Sequence, residues 1–346
     1  MDVVIVGAGP SGCIASELIA KKGYEVLVVE EHKEIGKPVQ CTGLVSERIG
    51  KIPREIILNK VRRARFFCFG KSFEISSREK VFVIEREKYD KFRAEEAEEA
   101  GARFKLNTRF FDFKNSKVIT TQGKYQTKIL IGADGPNSTV AKVSGLELPN
   151  NLFYALQVNA YGNFEKDCVE LWFSSKISKD FFAWVVPERE DVARIGLITR
   201  ENPAICLEEF LEKRIGKTKI EKKLGDTIRI GLIKKSVADN VLLIGDAACQ
   251  IKPFSAGGLI YGKIGAECAA KACIKALEEK DFSEKFFLEN YEKKWKKKLA
   301  LPIRKGLILK KVFSCFSKNK LLFETFLNLK LYNLAYFLNM DLLGKD

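Results

Sequence analysis

The feature that most constrains the fold is a glycine-rich segment near the start of the chain, Gly7-Ala8-Gly9-Pro10-Ser11-Gly12. It follows an apolar stretch that predicts a strand at 2–6 and precedes a predicted helix at 12–21. In a G-x-G-x-x-G of this kind the first glycine permits a tight turn and the second lets backbone N–H groups approach a diphosphate. The third lets the helix pack closely on the strand. The segment therefore predicts the phosphate-binding turn of a Rossmann-type domain.

An acidic pair, Glu30 and Glu31, ends the next predicted strand at 25–30. An acid about 20 residues after the glycine turn is placed to accept hydrogen bonds from the hydroxyls of a ribose. A carboxylate there also disfavours a 2′-phosphate on that ribose. The first two strands thus predict a dinucleotide whose diphosphate lies on the glycine turn.

Two further strand-to-turn motifs favour FAD over NAD. The first places Asp134-Gly135 after a predicted strand at 128–132, with Ser138 as a helix N-cap. The second places Asp246 after a predicted strand at 240–245, where it is suited to accept hydrogen bonds from a ribityl chain. Pro253 and then Gly257-Gly258-Leu259 follow, and the helix that begins there can stabilise negative charge on a reduced flavin. Each acid alone is more commonly a turn or cap residue, but the motifs in this order predict FAD.

The order of predicted elements indicates an α/β fold with an insertion. We expect a discontinuous Rossmann-like FAD-binding domain formed by 1–60, 85–150 and 236–285. We expect an inserted, mostly antiparallel β substrate domain formed by 61–84 and 151–235, including strands at 153–161, 168–174, 181–187 and 192–198. The remaining segment, 286–346, predicts a basic helical C-terminal region.

The composition excludes several kinds of site. A single histidine, His32, argues against a histidine-based metal site and against a Ser-His-Asp triad, and we predict no metal. Nine cysteines without a C-x-x-C pair indicate reduced thiols. The chain starts with no basic segment before its apolar residues, which argues against a signal peptide, so we expect a cytoplasmic protein.

Positive charge is concentrated towards the C-terminus. The net charge is +15, and the basic residues between Tyr291 and Lys320 are opposed only by Glu292. One interpretation is a solvated helix face. The other is a surface for an anionic partner, either a lipid phosphate or the inner face of a membrane, to which the protein would bind peripherally. Nucleic acid is disfavoured because no other segment resembles a nucleic-acid-binding module.

With these motifs, the chain resembles the group of FAD-dependent oxidoreductases that share the p-hydroxybenzoate hydroxylase fold. Within that group the chain is most similar, over roughly residues 1–300, to the geranylgeranyl reductase family. The segment 36–41, Gly-Lys-Pro-Val-Gln-Cys, resembles the family's G-x-P-V-x-C loop beside the flavin, and 182–187 resembles its Y-x-W-x-F-P substrate-cavity motif. The segment 85–90 resembles its R-x-x-F-D helix start. The family usually has an acid after the loop cysteine and a glycine triplet at 256–258, whereas this chain has Thr42 and Ala256.

The resemblance implies a role for each matching residue. Cys41, Thr42, Gly43 and Arg86 would contact the flavin nucleotide. The substrate would contact Phe182, Trp184, Val186 and Pro187. Cys41 is the candidate catalytic residue, as proton donor or substrate gate, although a buried cysteine is more commonly only a small apolar group. Trp184 is either a core aromatic or a wall of an apolar tunnel.

The function implied by the resemblance is saturation of carbon–carbon double bonds in isoprenoid, geranylgeranyl-type lipids during membrane lipid biosynthesis. The electron donor would be NADPH or a ferredoxin-like protein. Two alternatives stay open at this point. One is a flavin-dependent monooxygenase or halogenase on the same fold, and the other is a non-catalytic, flavin-stabilised lipid-binding protein.

Overall fold

The computed structural model of the chain describes residues 1–39, 41–332 and 341, which form two units. In chain order the strands are β1 (Val3–Val6), β2 (Val26–Val29), β3 (Leu44–Ser46), β4 (Ile57–Cys68), β5 (Lys71–Ile84), β6 (Arg103–Lys105), β7 (Phe110–Lys114), β8 (Lys117–Thr120), β9 (Gly123–Gln126), β10 (Ile129–Gly132), β11 (Leu152–Tyr161), β12 (Cys168–Phe173), β13 (Ala183–Pro187), β14 (Val192–Thr199), β15 (Ile220–Arg229), β16 (Val237–Ala238) and β17 (Val241–Leu243). The helices are α1 (Pro10–Ala20), α2 (Arg86–Glu99), α3 (Thr139–Val143), α4 (Pro203–Ile215), α5 (Leu259–Glu279), α6 (Glu284–Phe287), α7 (Lys293–Phe316) and α8 (Lys320–Asn328). A π-helical turn, Leu288–Glu292, joins α6 to α7.

The first unit comprises Met1–Lys37, Glu87–Asn151 and Arg229–Arg304. Its six-stranded sheet has the order β16-β17-β10-β1-β2-β6 and is parallel except for β16. Strands β1, β2, β10 and β17 are buried throughout and almost entirely Val, Ile and Leu, as expected for strands covered on both faces. Val6, Gly132 and Leu243 lie in register, so the loops that follow β1, β10 and β17 leave the same edge of the sheet. That edge is where open α/β sheets bind ligands.

The second unit comprises Pro38–Arg86, Leu152–Ile228 and Lys305–Asp346, within the described residues. Its eight-stranded sheet has the order β15-β11-β14-β13-β12-β4-β5-β3. One face packs against α4 through a cluster that includes Val185, Ile195 and Phe210. The other face carries Phe173 and Phe182, and Phe173 packs against Phe313 of α7 with their ring centroids 4.7 Å apart. The sheet is therefore buried on both sides near its centre.

The α/β class, the Rossmann-like first unit and the mostly antiparallel second sheet are confirmed, whereas several details differ. Residues 38–60 lie in the second unit rather than the nucleotide-binding domain, because β3 and β4 both pair with β5. The segment 61–84 belongs to one long hairpin rather than several short strands. Strand β12 pairs in parallel with β4, and β15 was not predicted at all.

The C-terminal region does not form a separate unit. Residues 286–304 belong to the first unit because their aromatic side chains are core residues: Tyr291 and Trp295 are fully buried, and the indole of Trp295 donates to Ser236 Oγ at 3.0 Å. From Lys305 onward the described residues belong to the second unit. Of the predicted helical tail, 333–340 and 342–346 lie outside the described residues. Among the residues that are described, no helix has the length and apolar character required to cross a bilayer.

Candidate functional site

The glycine turn is built as its spacing predicts. Gly7 has φ +103°, and a Cβ there would lie 2.4 Å from the Ala133 carbonyl oxygen, so this turn touches the loop after β10. A Cβ on Gly12 would lie 2.1 Å from the carbonyl oxygen of Gly7, which shows how closely α1 packs on the turn. Gly9 differs because a Cβ there would meet no atom within 4 Å. The space beside Gly9, at the N-terminus of α1, is open to a ligand.

Glu30 lies directly beside this turn. Its Oε2 accepts a hydrogen bond from the Ala8 N–H at 2.7 Å, and its Oε1 accepts one from the His32 N–H at 3.0 Å. His32 Nδ1 also lies 2.6 Å from Oε1. Because a carboxylate has about four acceptor positions, Glu30 retains capacity for a ribose hydroxyl. Glu31 is exposed instead, and its Oε2 lies 3.6 Å from Arg109 Nε.

Asp134 follows β10, but its carboxylate is turned towards its own chain. Oδ1 accepts a hydrogen bond from Ser138 Oγ at 2.6 Å, and Oδ2 accepts one from the Val140 N–H at 3.0 Å. Burial raises the pKa of Asp134, and these hydrogen bonds oppose that rise. Ser138 caps α3 as predicted by accepting from the Ala141 N–H at 2.9 Å. The Asp134 side chain therefore stabilises the start of α3, which leaves the backbone around Gly135 to face a ligand.

In the loop that follows β17, two charged side chains lie next to a pair of glycines. Asp246 Oδ1 lies 2.6 Å from the position that a Cβ on Gly258 would occupy. Lys252 Nζ lies 3.0 Å from the position that a Cβ on Gly257 would occupy. Lys252 is buried in the protein. These two glycines immediately precede α5, which begins at Leu259. A side chain at either glycine would displace Lys252 or Asp246 from its present position next to the N-terminus of the helix.

Gln250, which was not predicted from the sequence, holds the loop after β17 in place through buried hydrogen bonds. Its Oε1 accepts the Gly245 N–H at 2.8 Å, and its Nε2 donates to the Tyr291 hydroxyl at 3.0 Å. Gln250 is fully buried, and a Cβ on Gly265 of α5 would overlap its side chain. A lone polar side chain in the otherwise apolar stretch Ala247-Ala248-Cys249-Gln250-Ile251 was the sequence signal that could have revealed it.

The residues assigned to the loop at 41–43 lie in the second unit. Cys41 is partly exposed, and its Sγ accepts a hydrogen bond from the Gly43 N–H at 3.3 Å. Gly43 has φ +73°, and a Cβ there would lie 2.5 Å from the Ile84 carbonyl oxygen and 3.2 Å from Arg86 Cγ. Only a glycine fits this position, which brings Cys41, Thr42 and the start of α2 at Arg86 together. Gln40 lies outside the described residues.

Three of the four predicted substrate residues share one face of the sheet. Trp184 and Val186 alternate along β13, Phe182 immediately precedes the strand with the same parity, and all three are buried. The ring centroids of Phe182 and Trp184 are 6.3 Å apart. Pro187 has the opposite parity and lies in register with Ala193, a member of the cluster beneath α4. Pro187 therefore points away from the face that carries the other three.

Arg194 is a second residue that the sequence analysis missed. It is 5% exposed, and its Nη1 donates to the carbonyl oxygens of Thr42 and, at 3.0 Å, Ile84. Its Nε donates to Glu188 Oε1 at 2.5 Å. One buried guanidinium thus ties the 41–43 loop and the end of β5 to the centre of the sheet. A charged residue inside the apolar strand Val192-Ala193-Arg194-Ile195 was the signal available in the sequence.

Comparison with known proteins agrees with this architecture. Residues 5–41 match the model of the NAD(P)-binding Rossmann-like domain. An uncharacterized protein of Methanocaldococcus jannaschii is 37% identical, over 90% of this chain and 84% of that protein. The digeranylgeranylglycerophospholipid reductase of the same organism is 31% identical, over 92% of this chain and 88% of the relative.

Among solved structures, a geranylgeranyl bacteriochlorophyll reductase-like protein from Thermoplasma acidophilum superposes with a TM-score of 0.86 at 25% identity. The match covers 99% of this chain and 93% of that one. The resemblance inferred from the motifs is thereby confirmed. On the extent and identity of its match to the named reductase, this chain belongs to the digeranylgeranylglycerophospholipid reductase family.

Proposed function

We propose that this protein is an FAD-dependent reductase that saturates carbon–carbon double bonds of isoprenoid, geranylgeranyl-type lipids. The observation that carries the proposal is the meeting of three loops at one edge of the parallel sheet, those that contain Gly9, Gly135 and Asp246. One relative named above is a digeranylgeranylglycerophospholipid reductase, and the structural neighbour is a geranylgeranyl bacteriochlorophyll reductase-like protein. Membrane lipid biosynthesis is the pathway in which such an activity belongs.

The residues of the first unit fit FAD. The open space beside Gly9 and the N-terminus of α1 suit a diphosphate, and Glu30 has the acceptor capacity for a ribose. Asp246 would hold the ribityl chain, while Pro253, Gly257, Gly258 and Leu259 would form the wall at the N-terminus of α5. Ser255 Oγ, in the same loop, is buried without a hydrogen-bond partner among the described residues. An orphaned hydroxyl of this kind is expected where a ligand group completes the site.

In the second unit, we assign different roles to the 41–43 loop and to the sheet face that carries Trp184. Cys41, Thr42, Gly43 and Arg86 would contact the flavin nucleotide, with Cys41 the candidate proton donor. When bound, reduced FAD supplies the hydride for the double bond. We assign contact with the alkyl chain to the apolar side chains of Phe182, Trp184 and Val186, and each buried CH₂ contributes about 0.8 kcal/mol. Holding the chain in one orientation is the protein's main contribution to the rate.

We propose that the electron donor is either NADPH or a ferredoxin-like protein. The sequence has no second dinucleotide-binding motif that would favour NADPH. Anaerobic oxidation of each donor by the FAD-loaded protein, in the presence of lipid substrate, separates the two. The physiological type is the donor whose oxidation continues beyond one two-electron equivalent per FAD only when lipid is present.

We also propose peripheral contact with a membrane through the outer face of α7. Lys305, Ile308, Lys311 and Val312 are all exposed and follow the helical spacing of one face. Apolar side chains beside lysines suit the boundary of an anionic membrane, where each lysine contributes about 1 kcal/mol. Binding to vesicles with anionic lipid, weakened by Ile308→Asp and absent with neutral vesicles, is the expected result.

The reductase activity is tested with the purified, FAD-loaded protein reduced anaerobically by dithionite. Incubation with a digeranylgeranylglyceryl phospholipid should raise the lipid mass by two hydrogens for each double bond saturated. Asp246→Ala should lose both flavin and activity, whereas Asp191→Ala, at an exposed position, should retain both. In a parallel aerobic assay with NADPH, oxygen consumption with an oxidised product would instead indicate a monooxygenase or halogenase. Lipid bound without any change of mass would indicate a lipid carrier.

A further inference from the structure

Three neighbouring strands place Gln157, Gly196 and Trp184 side by side in one row of the eight-stranded sheet. Gln157 of β11 pairs with Gly196 of β14, and Gly196 pairs in turn with Trp184 of β13. A Cβ on Gly196 would lie 2.5 Å from Cζ2 of the indole. The absence of a side chain at Gly196 therefore lets the indole of Trp184 reach across β14 towards Gln157.

Gln157 receives two hydrogen bonds on a single oxygen. The Trp184 indole N–H donates to Oε1 at 3.2 Å, and the Thr42 hydroxyl donates to the same atom at 2.7 Å. Because an indole N–H can only donate, Oε1 must be the atom that faces it, and this fixes the orientation of the amide. Gln157 is only 5% exposed, so water does not readily replace these bonds. Residues 115 and 27 positions away in the sequence thus meet at one acceptor.

We propose that Gln157 is a positioning residue that couples the loop bearing Cys41 to the sheet face bearing Trp184. Two further contacts among the described residues hold this loop: Arg194 donates to the Thr42 carbonyl oxygen, and the Ile84 N–H donates to the Gly43 carbonyl oxygen at 2.9 Å. Loss of the Gln157 acceptor leaves the Thr42 hydroxyl and the indole N–H unpaired in a buried place. The loop then opens more often, and the indole loses its fixed orientation. The relevance of this coupling to turnover rests on the proposed function, but the coupling itself does not.

The coupling is measured by the alkylation rate of Cys41 with iodoacetamide, followed by peptide mass spectrometry of the full-length protein. Cys41 is partly exposed, and the exposed Cys315 provides a reference in the same sample. Gln157→Leu should raise the rate at Cys41 about five- to tenfold, the effect of losing about one hydrogen bond, with Cys315 unchanged. Gln157→Glu keeps an oxygen acceptor for both donors and should not show the rise in the Cys41 rate, since its negative charge can only slow formation of the thiolate. Gln122→Leu, the same substitution at an exposed glutamine, is the matched control.

Thr42→Val provides a second route to the same result if Gln157→Leu fails to fold. It should raise the Cys41 rate similarly, and combining it with Gln157→Leu should add little, because both changes remove the same bond. A wild-type rate at Cys41 in both single variants overturns the proposal. An equal rise at Cys41 and Cys315 also overturns it, since that indicates general unfolding. A rise confined to Cys41 in a protein that reduces no lipid supports the coupling while the reductase proposal fails.

Discussion

Gly9→Ala should separate cofactor binding from the stability of the fold. Gly9 has φ −67° and ψ 170°, a conformation open to any residue, and its Cβ would meet nothing within 4 Å. Glycine-to-alanine changes at compatible positions stabilise a protein by about 0.4–1 kcal/mol. Alanine is a poorer helix N-cap than glycine, which opposes this gain. The unfolding free energy of the FAD-free protein should therefore stay within about 1 kcal/mol of the wild type.

The same methyl group should weaken FAD binding strongly, because it fills the space assigned to the diphosphate. Forcing a methyl group into an occupied, well-packed space costs about 1–3 kcal/mol. At about 1.4 kcal/mol for each factor of ten, the upper end corresponds to roughly a hundredfold loss of affinity. At an FAD concentration 100 times the wild-type Kd, ligand binding stabilises the wild type by about 2.7 kcal/mol. A variant with hundredfold weaker binding would gain only about 0.4 kcal/mol under the same conditions.

The assay is calorimetric titration of flavin-stripped protein with FAD, together with thermal melts with and without FAD. Gly12→Ala is the contrasting variant, since its Cβ would lie 2.1 Å from the Gly7 carbonyl oxygen and should disrupt the fold itself. Wild-type affinity in a folded Gly9→Ala protein would refute the assignment, because it would mean that no ligand group passes over Gly9.

Three other substitutions test the second unit. Gly196→Ala should lower the unfolding free energy by about 1–3 kcal/mol in denaturant titrations, since its methyl group overlaps the indole of Trp184; an unchanged midpoint would contradict the packing. Arg194→Met removes a buried guanidinium from the partly buried carboxylate of Glu188 and from two backbone carbonyls, and should cost about 3 kcal/mol by the same measurement, whereas a loss below about 1 kcal/mol would show that the guanidinium is dispensable. Burial lowers the pKa of Lys310 to about 8, beneath its value of about 10.5 in an unfolded chain. The unfolded state then binds more protons between those values, so stability gains a component that rises with pH from about 8 to 10.5. Lys310→Met should remove that rise from a plot of melting temperature against pH, and identical slopes in the two proteins would contradict it.

The predictions that held from the sequence concern short stretches of backbone. The order strand, glycine turn, helix at 2–21 requires only neighbours in the chain, and Gly7 and Gly12 adopt the close contacts that their spacing implies. Apolar stretches predicted strands at 2–6 and 128–132, and the strands found there are buried. Asp134 shows the limit of such inference. Its position after a strand was predicted correctly, but its carboxylate accepts a hydrogen bond from the backbone at the start of α3. The sequence motif does not distinguish a carboxylate that caps a helix from one that contacts a cofactor.

Tertiary structure decided which distant residues meet. Gln157 accepts from Thr42 and Trp184 only because β11, β14 and β13 pair in one particular register, and a shift of one residue would turn each side chain to the opposite face. The pairing of β13 with β14 likewise determines that Pro187 and Trp184 point to opposite faces of the sheet. The parallel pairing of β12 with β4 also joins segments that are distant in the sequence. Local patterns of polarity indicate which apolar residues are buried, but the buried polar side chains of Gln157, Arg194 and Gln250 depend on partners from other segments. Strand order and register depend on packing across the whole sheet, and that information is not present in any one segment.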